Sequence, residues 1–134
     1  MLIPESLLKV DEEVEDIIVR GDDLSSYYAD IDLTIKADAF DVGVKPEDIP
    51  VDENGYVTSM RLQKLGQNYG LYKINFGYNR IGSGEADDVY ASWKTYYSLY
   101  QEQKALLTEE SITGGSETDE PSIGNNIRQS YVII

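Results

Sequence analysis

The sequence predicts a mainly helical protein, a small bundle of about four helices followed by an extended C-terminal tail. Three observations carry this. Apolar residues recur at spacings of three and four in four successive segments, the period of a single helix face. Glycine, proline and Asn-Gly signals separate those segments. Beyond Thr113 the composition turns to glycine, serine and acids, and the chain closes on Ser130-Tyr-Val-Ile-Ile. A chain of 134 residues suits one domain with one core, here a helical part over 1–112 and a flexible linker with a docking tail over 113–134.

The first helix is expected from Pro4 or Ser6 to Arg20, with Leu7, Leu8, Val14, Ile17 and Ile18 on its inner side. Its acidic block, Asp11-Glu-Glu-Val-Glu-Asp, falls mid-helix, and Gly21 supplies the stop. Asp22 or Asp23 then caps a second helix over Leu24–Phe40. Leu24, Tyr27 or Tyr28, Ile31, Ile35 and Ala39 form its inner row, with Asp30, Asp32 and Asp38 on the wet side and Gly43 at its end. In the connector over 44–55, Pro46 opens a single turn and Asn54-Gly55 marks another.

A third helix follows from Val57 to Asn79, with an inner row of Leu62, Leu65, Tyr69, Tyr72 and Phe76. Gly66, Gly70 and Gly77 lie within it, and each weakens an exposed helix by up to about 1 kcal/mol relative to Ala. A helix that keeps them needs the close approach of another backbone, or else it kinks. After a turn at 82–85 the fourth helix runs from Ala86 to Ile112, with Asp87 and Asp88 near its positive end and Val89, Trp93, Tyr96 or Tyr97, Tyr100 and Leu107 on its inner row. The short loop predicts antiparallel packing of the third and fourth helices.

Cysteine and histidine are both absent. Disulfides, thiolate nucleophiles, imidazole bases and Cys/His zinc sites are thereby removed, along with the Ser-His-Asp triad. The remaining carboxylates fall on the polar helix sides, and a four-helix dimetal site would need Glu-x-x-His pairs. Asp52 and Asn54 imitate two positions of a calcium loop, but Pro50 and Arg61 occupy two others, which leaves a turn. Gly82-x-Gly84 lacks the Gly-Lys-Ser/Thr ending of a phosphate loop. The chain is expected to be no enzyme and to need no cofactor or metal.

The net charge of −14 opposes binding to phosphates. It is also segregated. Met1–Met60 carries sixteen acids against four bases, Arg61–Ile112 six against six, and Thr113 onward three against one. No window approaches a membrane span, and the start Met1-Leu-Ile-Pro-Glu lacks a secretory signal, so an intracellular product without membrane contact is expected. Tyr69, Tyr72, Tyr78, Tyr90, Tyr96, Tyr97 and Tyr100 crowd the second half, which suits either the rim of a core or subunit contacts. Tyr96 and Tyr97 cannot both face inward on one helix. The detached apolar end, Ile127 with Tyr131, Val132, Ile133 and Ile134, is expected to bind a partner by adding a strand or filling a groove; folding back on its own core is the alternative.

The order of these parts resembles a known family. Tyr28-Ala-Asp-Ile-Asp-Leu, Ala39-Phe-Asp-Val-Gly-Val-Lys-Pro-Glu-Asp-Ile, Arg61-Leu-Gln-Lys-Leu-Gly-Gln-Asn-Tyr-Gly-Leu-Tyr-Lys-Ile-Asn-Phe and Asp88-Val-Tyr-Ala-Ser-Trp-Lys-Thr-Tyr-Tyr-Ser-Leu-Tyr are similar, in pattern and sequence order over Leu24 to Leu107, to the head-tail connector (adaptor) proteins of tailed bacteriophages. The resemblance implies a virion protein made in the host cytoplasm, a helical subunit that forms a ring, commonly of twelve copies, below the portal protein. Such a ring joins the capsid to the next neck or tail-terminator protein, and DNA passes through it without specific binding. The tail Ile127–Ile134 would then reach the portal or a neighbouring subunit. Tyr69, Tyr72, Phe76, Trp93, Tyr96, Tyr97 and Tyr100 would serve the core or the subunit interface. Asp11, Glu12, Glu13, Glu15 and Asp16 would line the channel and repel phosphate. The rival reading of the same acidity is a small inhibitor that imitates DNA and fills a basic cleft.

Overall fold

The computed structural model describes residues 1–81 and 86–114, with 79–81 and 86–92 as backbone only. Asp11 decides where its first helix begins. The Asp11 carboxylate accepts from the backbone N–H groups of Glu13 (3.0 Å) and Val14 (3.1 Å), the bonds of an N-cap, so α1 spans Glu12–Arg20. Before it stands only a 3-10 turn at Glu5–Leu7. The expected helix from Pro4 or Ser6 is therefore two pieces, and the acidic block moves from mid-helix to the first turn, where the positive helix end stabilises it. Gly21 ends α1 as predicted, left-handed at φ +86 with its N–H on the Ile17 and Ile18 carbonyls.

Helix α2 spans Ser25–Asp41. Its N-cap is neither Asp22 nor Asp23, the expected residues; Leu24 holds that position without a side-chain cap bond, and Asp23 Oδ1, just ahead of the helix, accepts from the Ser25 N–H at 3.0 Å and hydroxyl at 2.7 Å. Leu24, Ile31, Ile35 and Ala39 enter the core, with Tyr27 and Tyr28 half-buried against it. Asp38 corrects the sequence reading, because it is 5% exposed rather than on the wet side. The connector then makes a second 3-10 turn at Pro46–Asp48 and a single antiparallel bridge, Val51 to Val57, across the Asn54-Gly55 turn. Val57 donates its N–H to the Leu2 carbonyl at 2.8 Å. That bond holds Val57 extended, so α3 begins later than predicted and covers Met60–Ile81.

Helix α3 runs unbroken through its three glycines. A Cβ on Gly66 would lie 2.7 Å from Ile35 Cδ1, and one on Gly70 would lie 2.6 Å from Ile31 Cδ1 and 3.0 Å from Leu8 Cδ2. The Tyr27 hydroxyl occupies the same place against Gly77. Residues 35, 31 and 27 thus seat on 66, 70 and 77 in reverse order, which makes α2 and α3 antiparallel. Close approach was expected from a backbone; the glycines instead form sockets for side chains. Leu71 and Ile74 are also fully buried, outside the predicted inner row. A helix in the middle of a bundle is covered on more than one side, so one stripe understates its core.

Helix α4 spans Ala86–Leu106 and lies antiparallel to α3, as the ring pairs Tyr69–Tyr100, Tyr72–Tyr97 and Phe76–Trp93 show, with centroids 5.1, 4.9 and 5.0 Å apart. It stops short of the expected Ile112. Thr108 and Ser111 form a capping box, each side chain accepting the other's backbone N–H at 3.0 Å, and a short α5, Glu109–Thr113, turns Ile112 into the core. The described fold is mainly helical, and none of its helices is long and apolar enough to cross a membrane.

Candidate functional site

Two features organise the molecule outside its aliphatic core. The first is an aromatic seam. Tyr69, Tyr72 and Phe76 of α3 meet Trp93, Tyr97 and Tyr100 of α4 in tilted and edge-to-face pairs at 4.9 to 5.9 Å, the spacing at which the ring quadrupoles attract. Of the residues named for core or interface, all but Tyr96 therefore meet in this seam within one chain. Tyr97 remains 40% exposed and Tyr100 is 7% exposed, so the outward member of the Tyr96-Tyr97 pair is Tyr97.

The second feature is a set of tyrosine hydroxyls that donate to carboxylates of the acidic half. Tyr96 donates to Asp11 Oδ2 at 2.7 Å, and Tyr100 to Asp38 Oδ2 at 2.7 Å. Tyr69 donates to Asp30 at 2.9 Å, Tyr28 to Glu5 at 2.5 Å and Tyr78 to Asp22 at 3.3 Å. Lys104 adds an ion pair to Asp38 at 3.7 Å, and Lys73 one to Asp30 at 3.8 Å. Burial first, and then the adjacent carboxylate, push these phenols to higher pKa, about 12 for Tyr69 and further for Tyr28, Tyr96 and Tyr100. The hydroxyls therefore stay protonated and act as donors, and the arrangement holds elements together instead of activating a nucleophile. Sequence spacing could not reveal it, because Asp38 and Asp11 find their partners 62 and 85 residues away.

Of the acids assigned to a channel, Glu12, Glu13, Glu15 and Asp16 are exposed on α1. Asp11 is not a free surface charge, since it caps α1 and accepts from Tyr96. Among the described residues no three acids gather as a metal cluster would require. The tail residues Ile127, Tyr131, Val132, Ile133 and Ile134 lie outside the described residues, as do the turn at 82–85 and the Val89 and Tyr90 side chains. Comparison with family models, with curated proteins and with solved structures found no match. The chain's own geometry is what bears on its role.

Several apolar side chains remain in water. Val10 before α1 and Val19 within it are 68% and 74% exposed, and Leu33 and Phe40 on α2 reach 65% and 62%. They share the acidic half of the chain with Glu12, Glu13, Glu15 and Asp16.

Proposed function

We propose that this chain is a head-tail connector adaptor of a tailed bacteriophage, a structural virion subunit without catalytic activity. It assembles with its copies into a ring below the portal, links the capsid to the next neck protein, and leaves a channel for DNA. The observation that carries this reading is segregated charge on a helical frame. The electrically balanced stretch 61–112, which contains α3 and α4, holds carboxylates of the acidic half through tyrosine hydroxyls, and the acids of α1 stay exposed. Carboxylates on a channel wall repel phosphate and let duplex DNA pass without adhering. The pattern of segments from Leu24 to Leu107 supports the same reading.

The test is co-purification with a phage portal protein, followed by particle imaging of the product. The reading expects rings seated on the portal with α1 toward the channel. It also expects that a chain lacking residues 127–134 is recovered with the portal at least tenfold less. Rings with the α1 acids on the outer wall would end the channel hypothesis. Failure to bind any portal, together with tight binding to a basic nuclease or repressor, would favour the DNA-imitating inhibitor.

A further inference from the structure

Helix α2 is apolar on two sides. Its inner side gives Ile31, Ile35 and Ala39 to the core, while Ala29, Leu33, Ala37 and Phe40 are all exposed on the outer side. Spacings of four, four and three put these on one row, about 17 Å long at the helical rise. Removing exposed Leu and Phe side chains from water is favourable, and no described residue covers this row.

The described chain leaves the fold at one end of that row. Glu109 of α5 lies 3.7 Å from the place a Cβ on Gly43 would take, just past the end of α2, and the Ser59 hydroxyl donates to the Ser111 carbonyl at 2.8 Å. Ile112 is buried beneath. Helix α5 is only about 8 Å long, so Gly114, the last described residue, lies near the Phe40 end of the row. Residues 115–126 are mostly polar and reach at most about 40 Å, more than the whole row. The apolar residues Ile127, Tyr131, Val132, Ile133 and Ile134 follow. A tether of this length sets an effective concentration on the order of millimolar, which a second copy at micromolar concentration does not match.

We propose that the segment Ile127–Ile134 docks in cis on the outer row of α2, over Ala29, Leu33, Ala37 and Phe40. The inference does not depend on the adaptor reading, under which the docked segment would leave this row when a portal binds it. Because the chain has no cysteine, Val132→Cys accepts a single nitroxide label, and the NMR signals of the isotope-labelled chain report its position. At low micromolar concentration the Leu33 methyl, Ala37 and Phe40 signals should vanish in the oxidised sample and return on reduction. Adding Leu33→Asp, a change at an exposed site that leaves the core spectrum intact, should restore most of the Ala37 and Phe40 intensity without reduction. Equal broadening with and without Leu33→Asp would show mere tethering and overturn the proposal. Broadening confined to mixtures of isotope-labelled and nitroxide-labelled chains would assign the row to a second copy, and no broadening would leave it uncovered; either result overturns docking in cis.

Discussion

Single residues decide the packing of α3. Ala at Gly70 gains about 1 kcal/mol of helix propensity, but its Cβ meets Ile31 at 2.6 Å and Leu8 at 3.0 Å, and overpacking of this kind costs about 1–3 kcal/mol. Gly70→Ala should therefore lower stability in urea unfolding. Adding Ile31→Val, which removes the obstructing Cδ1, should recover part of the loss; a double variant no better than Gly70→Ala would refute the socket account. The same scale holds the Asp38 carboxylate, 5% exposed and bonded by Tyr100. Tyr100→Phe deprives it of that donor and should cost about 1–3 kcal/mol. These features were only half legible beforehand. The glycines announced a close approach, and their partners became visible only once α2 was placed. Asp38 read as a surface acid because its donor lies on another helix.

At the scale of elements, α1 depends on one side chain that serves two neighbours. Asp11 caps the helix and accepts from Tyr96, so Asp11→Ala should destabilise the protein by about 1–3 kcal/mol, more than an ordinary cap deletion. Asp11→Asn, which still accepts hydrogen bonds, should restore most of it. Helix stops were the most legible part of the sequence, since Gly21 and Gly43 end α1 and α2 with positive φ. Boundaries without such a glycine were less so at several places. Val57, Thr108 and the stretch before Asp11 were claimed for helices by periodicity and lost to hydrogen bonds that the pattern does not encode: Val57 to Leu2, the Thr108–Ser111 box, and the Asp11 cap. The aromatic row Tyr69, Tyr72, Phe76 was foreseen as a stripe, and α4 fills it.

For the whole molecule, charge and hydroxyl bonds set the dependence on conditions. The phenols of Tyr28, Tyr69, Tyr96 and Tyr100 have pKa values raised above the ordinary 10.0. A raised native pKa gives stability that is whole below the unfolded value and lost as pH rises through the native one. Stability should therefore fall from about pH 10 upward, through about 12 for Tyr69, with tyrosinate absorbance and loss of helicity rising together. Complete ionisation near pH 10 with helicity intact would contradict the bonded arrangement. Net charge of −14 also implies self-repulsion, so sodium chloride should raise the thermal midpoint. Relief of roughly 1 kcal/mol corresponds to about 4 °C at this size.

The long reach of the tyrosine bonds has a consequence for synthesis. The ribosome releases the acidic half first, but the hydroxyls that hold Asp11 and Asp38 belong to α4. Until α4 emerges, Asp11 and Asp38 wait without these donors, and until α3 emerges Ile31 and Ile35 lack the sockets at Gly70 and Gly66. An excess of negative charge keeps such a nascent segment from coalescing with its neighbours on a polysome. The carboxylates thus guard the chain's solubility before they take their places in the fold.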